Sequence, residues 1–358
     1  MNKKIGYAVV GLGVGMGHCD GAIASENADL VAVCDLIPEK MEKVAAKCPG
    51  LKMYTDFNDL IADPDVDIIS ICLPSSMHAE FAVKAMEAGK HVLVEKPIDI
   101  HVEEAMKIEE ARIRTGKKAG VIHQNRFNRD MYPIKAAVES GRIGKVFLGT
   151  FAVKWYRTQA YYEGWHGTWE VDGGGSLMNQ AVHTVDLMQW LMGDVESVTS
   201  HIGIYDHEID TEDMTATLIR FKNGAAATFV STTCAYPGIS TDIQLYGTGG
   251  TIEADQDVLK TWKMKDFDED FAEAMGIDAF DVEEEETWML ETYGKGNGPI
   301  TQADPSILVG HRYMVEDMIC AVLEDRDPAI LPTEAMKSVR IVNAVYESAR
   351  TGKTVYFD

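Results

Sequence analysis

Short apolar runs alternate with amphipathic stretches through the first third of the chain. Ile5–Val10, Leu30–Cys34, Ile68–Cys72, His91–Val94 and Ala119–Ile122 are strand candidates, short, apolar and often β-branched, as expected of strands covered on both faces. Helical periodicity separates them at Pro38–Lys47, Met77–Ala88 and Glu103–Thr115. This alternation predicts an α/β parallel sheet with helices on both sides. The pattern changes after residue 123. A helix over Pro133–Ser140 stops at Gly141, and long strand-like runs follow at Val146–Trp155, Val195–Ile204, Met214–Phe221, Ala225–Thr233 and Ile239–Leu245. Asn223-Gly224 marks a hairpin between two of them. Helices are expected over Asn179–Met192, Tyr313–Glu324 and Thr333–Ala349. The second part therefore reads as an α+β domain with a largely antiparallel sheet, and the division expected is 1–123 and 124–358.

With 358 residues the chain is long enough for two cores. Its 33 basic and 57 acidic residues give a formal charge of −24, which repels nucleic acid and anionic membrane. No apolar run approaches the ~20 residues of a membrane span. The basic start Met1-Asn2-Lys3-Lys4 is followed by too short an apolar stretch for a signal peptide, so a cytoplasmic location is expected. Cys19, Cys34, Cys48, Cys72, Cys234 and Cys320 show no metal-ligand spacing; they read as reduced thiols, and no metal site is expected. The acidic segment 266–286 reads as a solvated loop or helix face.

The chemistry begins at Gly11-Leu12-Gly13-Val14-Gly15-Met16-Gly17, which follows the first strand and precedes a helix. Glycines there let the backbone approach a pyrophosphate at a helix N-terminus. The usual spacing places the third glycine at Met16, which Gly15 and Gly17 flank. Asp35 ends the second strand, about 20 residues on, where an acid accepts hydrogen bonds from both ribose hydroxyls. It would repel a 2′-phosphate and no Arg follows it, so NAD is favoured over NADP. A helix cap before Pro38 is the structural alternative for Asp35.

Three further segments stand at positions suited to a site. Leu73-Pro74-Ser75-Ser76-Met77-His78 follows a strand, at the edge where open parallel sheets bind ligands, although Ser76 is also a natural helix cap. Glu95-Lys96-Pro97 follows another strand; its lysine could stabilise a developing alkoxide or simply form a surface ion pair. Asp172-Gly173-Gly174-Gly175 leads into Asn179 and His183, four apart and so on one helical face. A neutral histidine there could take a hydroxyl proton. Just before it, Trp155, Tyr156, Arg157, Tyr161, Tyr162, Trp165, His166 and Trp169 form an aromatic-rich stretch. Aromatic faces stack on sugar rings and Arg binds hydroxyls, carboxylate or phosphate, which makes Arg157, Trp165 and His166 substrate candidates.

Together these segments resemble the glucose-fructose oxidoreductase / inositol dehydrogenase / rhizopine catabolism (Gfo/Idh/MocA) family. The resemblance rests on Gly11-Leu12-Gly13, Asp35, the run Ala88–Pro97, Gln124-Asn125-Arg126-Phe127, Gly173–His183 and Tyr346–Lys353. It implies an N-terminal Rossmann domain and a C-terminal domain whose open sheet forms a homo-oligomer, dimer or tetramer. It implies a nicotinamide cofactor and a sugar, inositol or glycoside substrate. Lys96 and His183 match the catalytic positions, with Asn179 beside them. Pro97 matches a proline that sets the lysine. Leu73, Pro74, Ser75, His78, Glu95, Lys96 and Gln124 are expected to line the cofactor together with Gly11, Leu12, Gly13, Gly15, Met16 and Asp35. Arg126, Arg157, Trp165, His166, Asn179 and His183 are expected at the substrate. Many inositol dehydrogenases carry Asp where Asn179 stands; Asn cannot ionise, but it can donate and accept hydrogen bonds. The expected reaction is hydride transfer between the nicotinamide and a secondary alcohol of the substrate, in either direction. The alternatives are an enzyme that uses tightly held NAD transiently for elimination or epimerisation, and a non-catalytic sugar sensor.

Overall fold

The computed structural model describes residues 4–128, 131–255, 258–265 and 310–358. The acidic segment 266–286 lies outside the described residues. The chain divides into two compact units. The first is Met1–Gln124 with Glu170–Gly173 and Leu308–Val339; the second is Asn125–Trp169, Gly174–Ile307 and Arg340–Asp358. Two returns of the chain to the first unit are thus absent from a single cut after residue 123.

In the first unit, β1 (Ile5–Val10), β2 (Ala28–Cys34), β3 (Lys52–Tyr54), β4 (Ile68–Ile71), β5 (His91–Val94) and β6 (Ala119–Val121) form one parallel sheet in the order β3-β2-β1-β4-β5-β6. Every residue of β4 is buried, as are all of β1 after Ile5, which is why both read as mostly apolar runs, the hydroxyl of Ser70 in β4 being met by Tyr7 and His18. Each such Val or Ile contributes about 1.5–3 kcal/mol by leaving water. Helices α1 (Gly15–Ala24), α2 (Pro38–Ala45), α3 (Phe57–Ala62), α4 (His78–Glu87) and α5 (Val102–Thr115) connect the strands. Helix α5 carries Glu103 and Glu104 in its first turn and Arg112 and Arg114 in its last, each complementing the helix dipole, and it stops at Gly116 in the left-handed conformation. The strand order reverses between β1 and β4, so a crevice opens at their carboxyl ends. Strand β3 and helix α3 were not legible in the sequence. The strand has three residues, none fully buried, and the helix has six; neither is long enough to show a period.

In the second unit, β7 (Val146–Lys154), β8 (Val195–Gly203), β9 (Met214–Phe221), β10 (Ala226–Thr232), β11 (Ser240–Gly247), β12 (Gly250–Asp255), β13 (Val258–Met264) and β14 (Val355–Tyr356) form one sheet in the order β13-β12-β11-β7-β10-β9-β8-β14. It is antiparallel except for the β7–β10 pair. Burial alternates along β9, so one face carries Ile219, Phe221, Phe229 and Phe151 inward while the other leaves Leu218 54% exposed. Asn223-Gly224 does make the β9–β10 hairpin: Gly224 takes a φ of +88° and Phe221 N–H bonds the Ala225 carbonyl at 2.9 Å. Helix α6 (Met131–Glu139) and helix α7 (Val182–Met192) belong to this unit, and α7 packs on β7. The expected helix from Asn179 is corrected here. Ser176–Gln180 is a π-helical turn, with Ala181 N–H bonded to the Ser176 carbonyl at 2.9 Å, and the α-helix begins only at Val182.

Candidate active site

The loop after β1 is threaded tightly. Gly11 has a φ of +84°, and a Cβ there would lie 2.2 Å from the Cys72 carbonyl oxygen at the end of β4. Gly15 opens α1, and a Cβ there would press into Val9 at 2.8 Å and Cys72 at 3.2 Å. Close helix–sheet packing is therefore served by Gly15, which explains why Met16 is tolerated where a third glycine was expected. Gly13 differs: a Cβ built there meets nothing within 4 Å. Its bare backbone faces open space, as a loop that receives a pyrophosphate should. Asp35 Oδ2 accepts from Leu12 N–H at 2.6 Å and Oδ1 from Ile37 N–H at 2.9 Å, which ties the end of β2 to this loop. Lys40 Nζ stands 3.9 Å from the same carboxylate. Gln124 Oε1, after β6, is buried with no hydrogen-bond partner, an acceptor suited to a ligand donor. Loop, carboxylate and orphaned amide together fit a dinucleotide.

The loops after β4 and β5 are joined by His78. It is 1% exposed, with Nε2 2.8 Å from the Leu73 carbonyl and Nδ1 2.7 Å from the Pro97 carbonyl. Its ring thus spans the two loops as a brace. Ser75 is buried at the start of a 3-10 turn, beside half-buried Leu73 and Pro74. Glu95 is 2% exposed and centres a network that sequence reasoning missed. Its Oε1 lies 2.9 Å from both His18 Nε2 and His311 Nε2, and its Oε2 accepts from Lys96 N–H at 3.0 Å. His18 Nδ1 lies 2.9 Å from Ser70 Oγ, which bonds Tyr7 OH. Burial alone would raise the Glu95 carboxyl, but the donors at His18 and His311 outweigh it and hold it well below the usual carboxylate range. Burial keeps His18 below the ordinary histidine value. A neutral His18 then donates from Nε2 to Glu95 and accepts Ser70 at Nδ1, which fixes its tautomer. Burial also lowers the Lys96 ammonium, against the pull of the Glu95 and Asp172 carboxylates. His18 and His311 lie far apart in sequence from Glu95, so no spacing rule could have found them.

In the second unit the glycine run has steric causes. A Cβ on Gly174 would lie 2.0 Å from Tyr346 OH, and one on Gly175 would lie 1.9 Å from the Glu212 carbonyl. Glu212 supports the turn: its carboxylate accepts from Gly175 N–H at 3.0 Å, Leu177 N–H at 2.8 Å and Tyr346 OH at 3.1 Å. Burial raises this carboxyl to about 7 despite the three donors. Only Asn179 and His183 are partly exposed between Asp172 and Gln189. The π-helical turn thus leaves Asn179 partly exposed, the first turn of α7 does the same for His183, and the residues around them are buried. Asn179 Oδ1 accepts from Tyr161 OH at 3.1 Å and Gln180 Nε2 at 2.8 Å, and its Nδ2 donates to His166 Nδ1 at 3.2 Å. His166 stacks on Tyr161 with centroids 4.6 Å apart and contacts Trp165 at 3.9 Å. Arg157 joins the group by donating to Gln180 Oε1 at 2.8 Å. Arg126 stands apart. It is 5% exposed, and its Nε and NH2 donate to the two oxygens of buried Asp186 at 2.7 and 2.6 Å. That geometry is a buried bidentate ion pair, with the Nε and NH2 donors turned to Asp186. A second cluster, His207, Asp213 and Cys234, is knit by His207 Nδ1–Asp213 at 3.1 Å and by three backbone amides on Asp213.

Residues 5–123 match the model of the oxidoreductase family with an NAD-binding Rossmann fold, and residues 133–253 match the GFO/IDH/MocA C-terminal domain. A 1-carboxy-3-chloro-3,4-dihydroxycyclohexa-1,5-diene dehydrogenase of Comamonas testosteroni is 34% identical over 55% of this chain, and the match spans half of that protein's length. Myo-inositol 2-dehydrogenase of Thermotoga maritima is 28% identical over 69% of this chain and 74% of its own. The WlbA dehydrogenase of Bordetella pertussis, solved with NADH and UDP-GlcNAcA, superposes with a TM-score of 0.86 at 28% identity, covering 100% of this chain and 99% of that one. Among the described residues no helix is long and apolar enough to cross a membrane. With both domain models matched in order, this chain belongs to the GFO/IDH/MocA family of NAD-binding oxidoreductases.

Proposed function

We propose that the chain is an NAD-dependent dehydrogenase acting on a secondary alcohol of a sugar, inositol or glycoside. The observation that carries this reading is Lys96. It sits at the carboxyl edge of the parallel sheet, its ammonium lowered by burial and its backbone N–H anchored on Glu95. Bound NAD would supply the hydride acceptor. Lys96 donates a hydrogen bond to the reacting hydroxyl and stabilises its developing alkoxide. His183, half-buried in the first turn of α7, takes the hydroxyl proton. Asn179, held by Tyr161, Gln180 and His166, orients the neighbouring hydroxyls.

Asp35 would accept the ribose hydroxyls and disfavour a 2′-phosphate, so NAD is the preferred cofactor. The open face of the second sheet, with Leu218 exposed, favours a homo-oligomer, which light scattering on the purified protein would test. Six cysteines without a disulfide suit the cytoplasm. The decisive experiment follows NADH formation with a panel of sugars and polyols. Lys96→Met and His183→Ala should each lose about 10²–10⁴-fold in turnover while still binding NAD. Near-normal rates in both variants would refute the assignment, and conversion of substrate without net NADH would favour transient use of the cofactor.

A further inference from the structure

Arg157 is held in a manner the proposed reaction does not need. Its guanidinium carbon lies 5.1 Å from the centre of the Trp155 ring and 5.3 Å from that of Tyr161. Trp155 is fixed in turn by its Nε1–H on Thr241 Oγ1 at 2.9 Å. One guanidinium N–H goes to Gln180 Oε1 at 2.8 Å and one to the Tyr156 carbonyl at 3.3 Å. An arginine carries five N–H donors, so three remain. The chain has 57 acidic residues, yet no carboxylate of the described residues lies within ion-pair reach of Arg157. Arg126, Arg112 and Arg326 are all paired with acids. A planar fork clamped by two aromatic rings, with donors to spare and its charge unpaired, is preorganised for an oxyanion. It donates to Gln180, the neighbour of Asn179, on the turn that leads into the α7 helix bearing His183.

We infer that Arg157 receives an anionic group of the substrate, so that the sugar-like substrate class is an acidic one, bearing a carboxylate or a phosphate. This inference rests on the dehydrogenase reading for the reaction but not for the binding. An ionised hydrogen-bonded pair is worth about 10- to 100-fold in affinity. The test titrates glucose, glucuronate and glucose 6-phosphate into the NAD-supplemented protein by calorimetry and follows NADH in parallel. Either anion should bind about 10- to 100-fold tighter than glucose. The ratio should collapse towards one in Arg157→Met and recover in part in Arg157→Lys, which keeps charge without the fork. A preference for glucuronate assigns the carboxylate, and one for glucose 6-phosphate assigns the phosphate. Equal affinities for all three probes, no measurable binding of either anion, or a preference that survives in Arg157→Met would overturn the inference. Absence of NADH with a preserved anion preference would instead sink the dehydrogenase reading alone.

Discussion

Glu212 makes the sharpest physical prediction. The side chain is 1% exposed and accepts from Gly175 N–H, Leu177 N–H and Tyr346 OH. Burial raises its carboxyl from 4.5 to about 7, against the lowering effect of those donors. An acid whose pKa is higher in the folded than in the unfolded chain favours folding when protonated. Its contribution is complete below about 4.5 and is lost as pH rises through about 7. Each pH unit between those values removes about 1.4 kcal/mol, so the full window is worth about 3.5 kcal/mol and the part above pH 5 about 3 kcal/mol. Glu212→Gln keeps the shape and cannot ionise. It loses part of the acceptor set for Gly175 and Leu177, which lowers stability at acid pH. The two proteins are then compared by urea unfolding at intervals from pH 5 to pH 8.5. Wild type should lose stability relative to the variant across that range by about 3 kcal/mol, most steeply below neutrality. Parallel curves would refute a buried carboxyl that titrates near 7 and would mean that the three donors keep Glu212 ionised throughout.

Two further outcomes separate binding from architecture. Arg126→Met leaves the Asp186 carboxylate buried without its partner and should cost about 3–5 kcal/mol in denaturant unfolding; adding Asp186→Asn should restore part of it. A rise in substrate KM without loss of stability would return Arg126 to the substrate. Asp35→Ser removes the acceptor of Leu12 N–H and the acid set for the ribose. NAD binding, followed by protein fluorescence, should weaken by about 10- to 100-fold while discrimination against NADP narrows. Unchanged NAD affinity would show that Asp35 serves only the loop.

The parallel sheet was legible because strands buried on both faces are mostly apolar, and β1 and β5 fall on the residues expected. Asp35 and the glycine loop were legible because their chemistry is local: a turn, a close backbone approach and an acid at a strand end. Within the glycine loop, however, only packing shows that Gly15 meets Val9 and Cys72 while Gly13 meets nothing. Asn179 and His183 were found by a spacing argument that assumed a regular helix. The structure leaves both partly exposed, but Asn179 stands on a π-helical turn whose first amides bond Glu212 and His183 on the α-helix that follows, and the position of Glu212 in sequence gave no hint of that contact.

The sequence by itself determined the longer strands and helices and placed a glycine loop and its acid–base candidates among them, since periodicity and local turn chemistry act over a few residues. Only the tertiary structure decided which cations meet a carboxylate and which meet aromatic rings. Arg126 and Arg157 are the same residue type in neighbouring segments. One is tied to Asp186, sixty residues on, and the other is clamped by aromatic rings with donors unspent. Pairing of that kind depends on distances through space, which chain spacing does not encode.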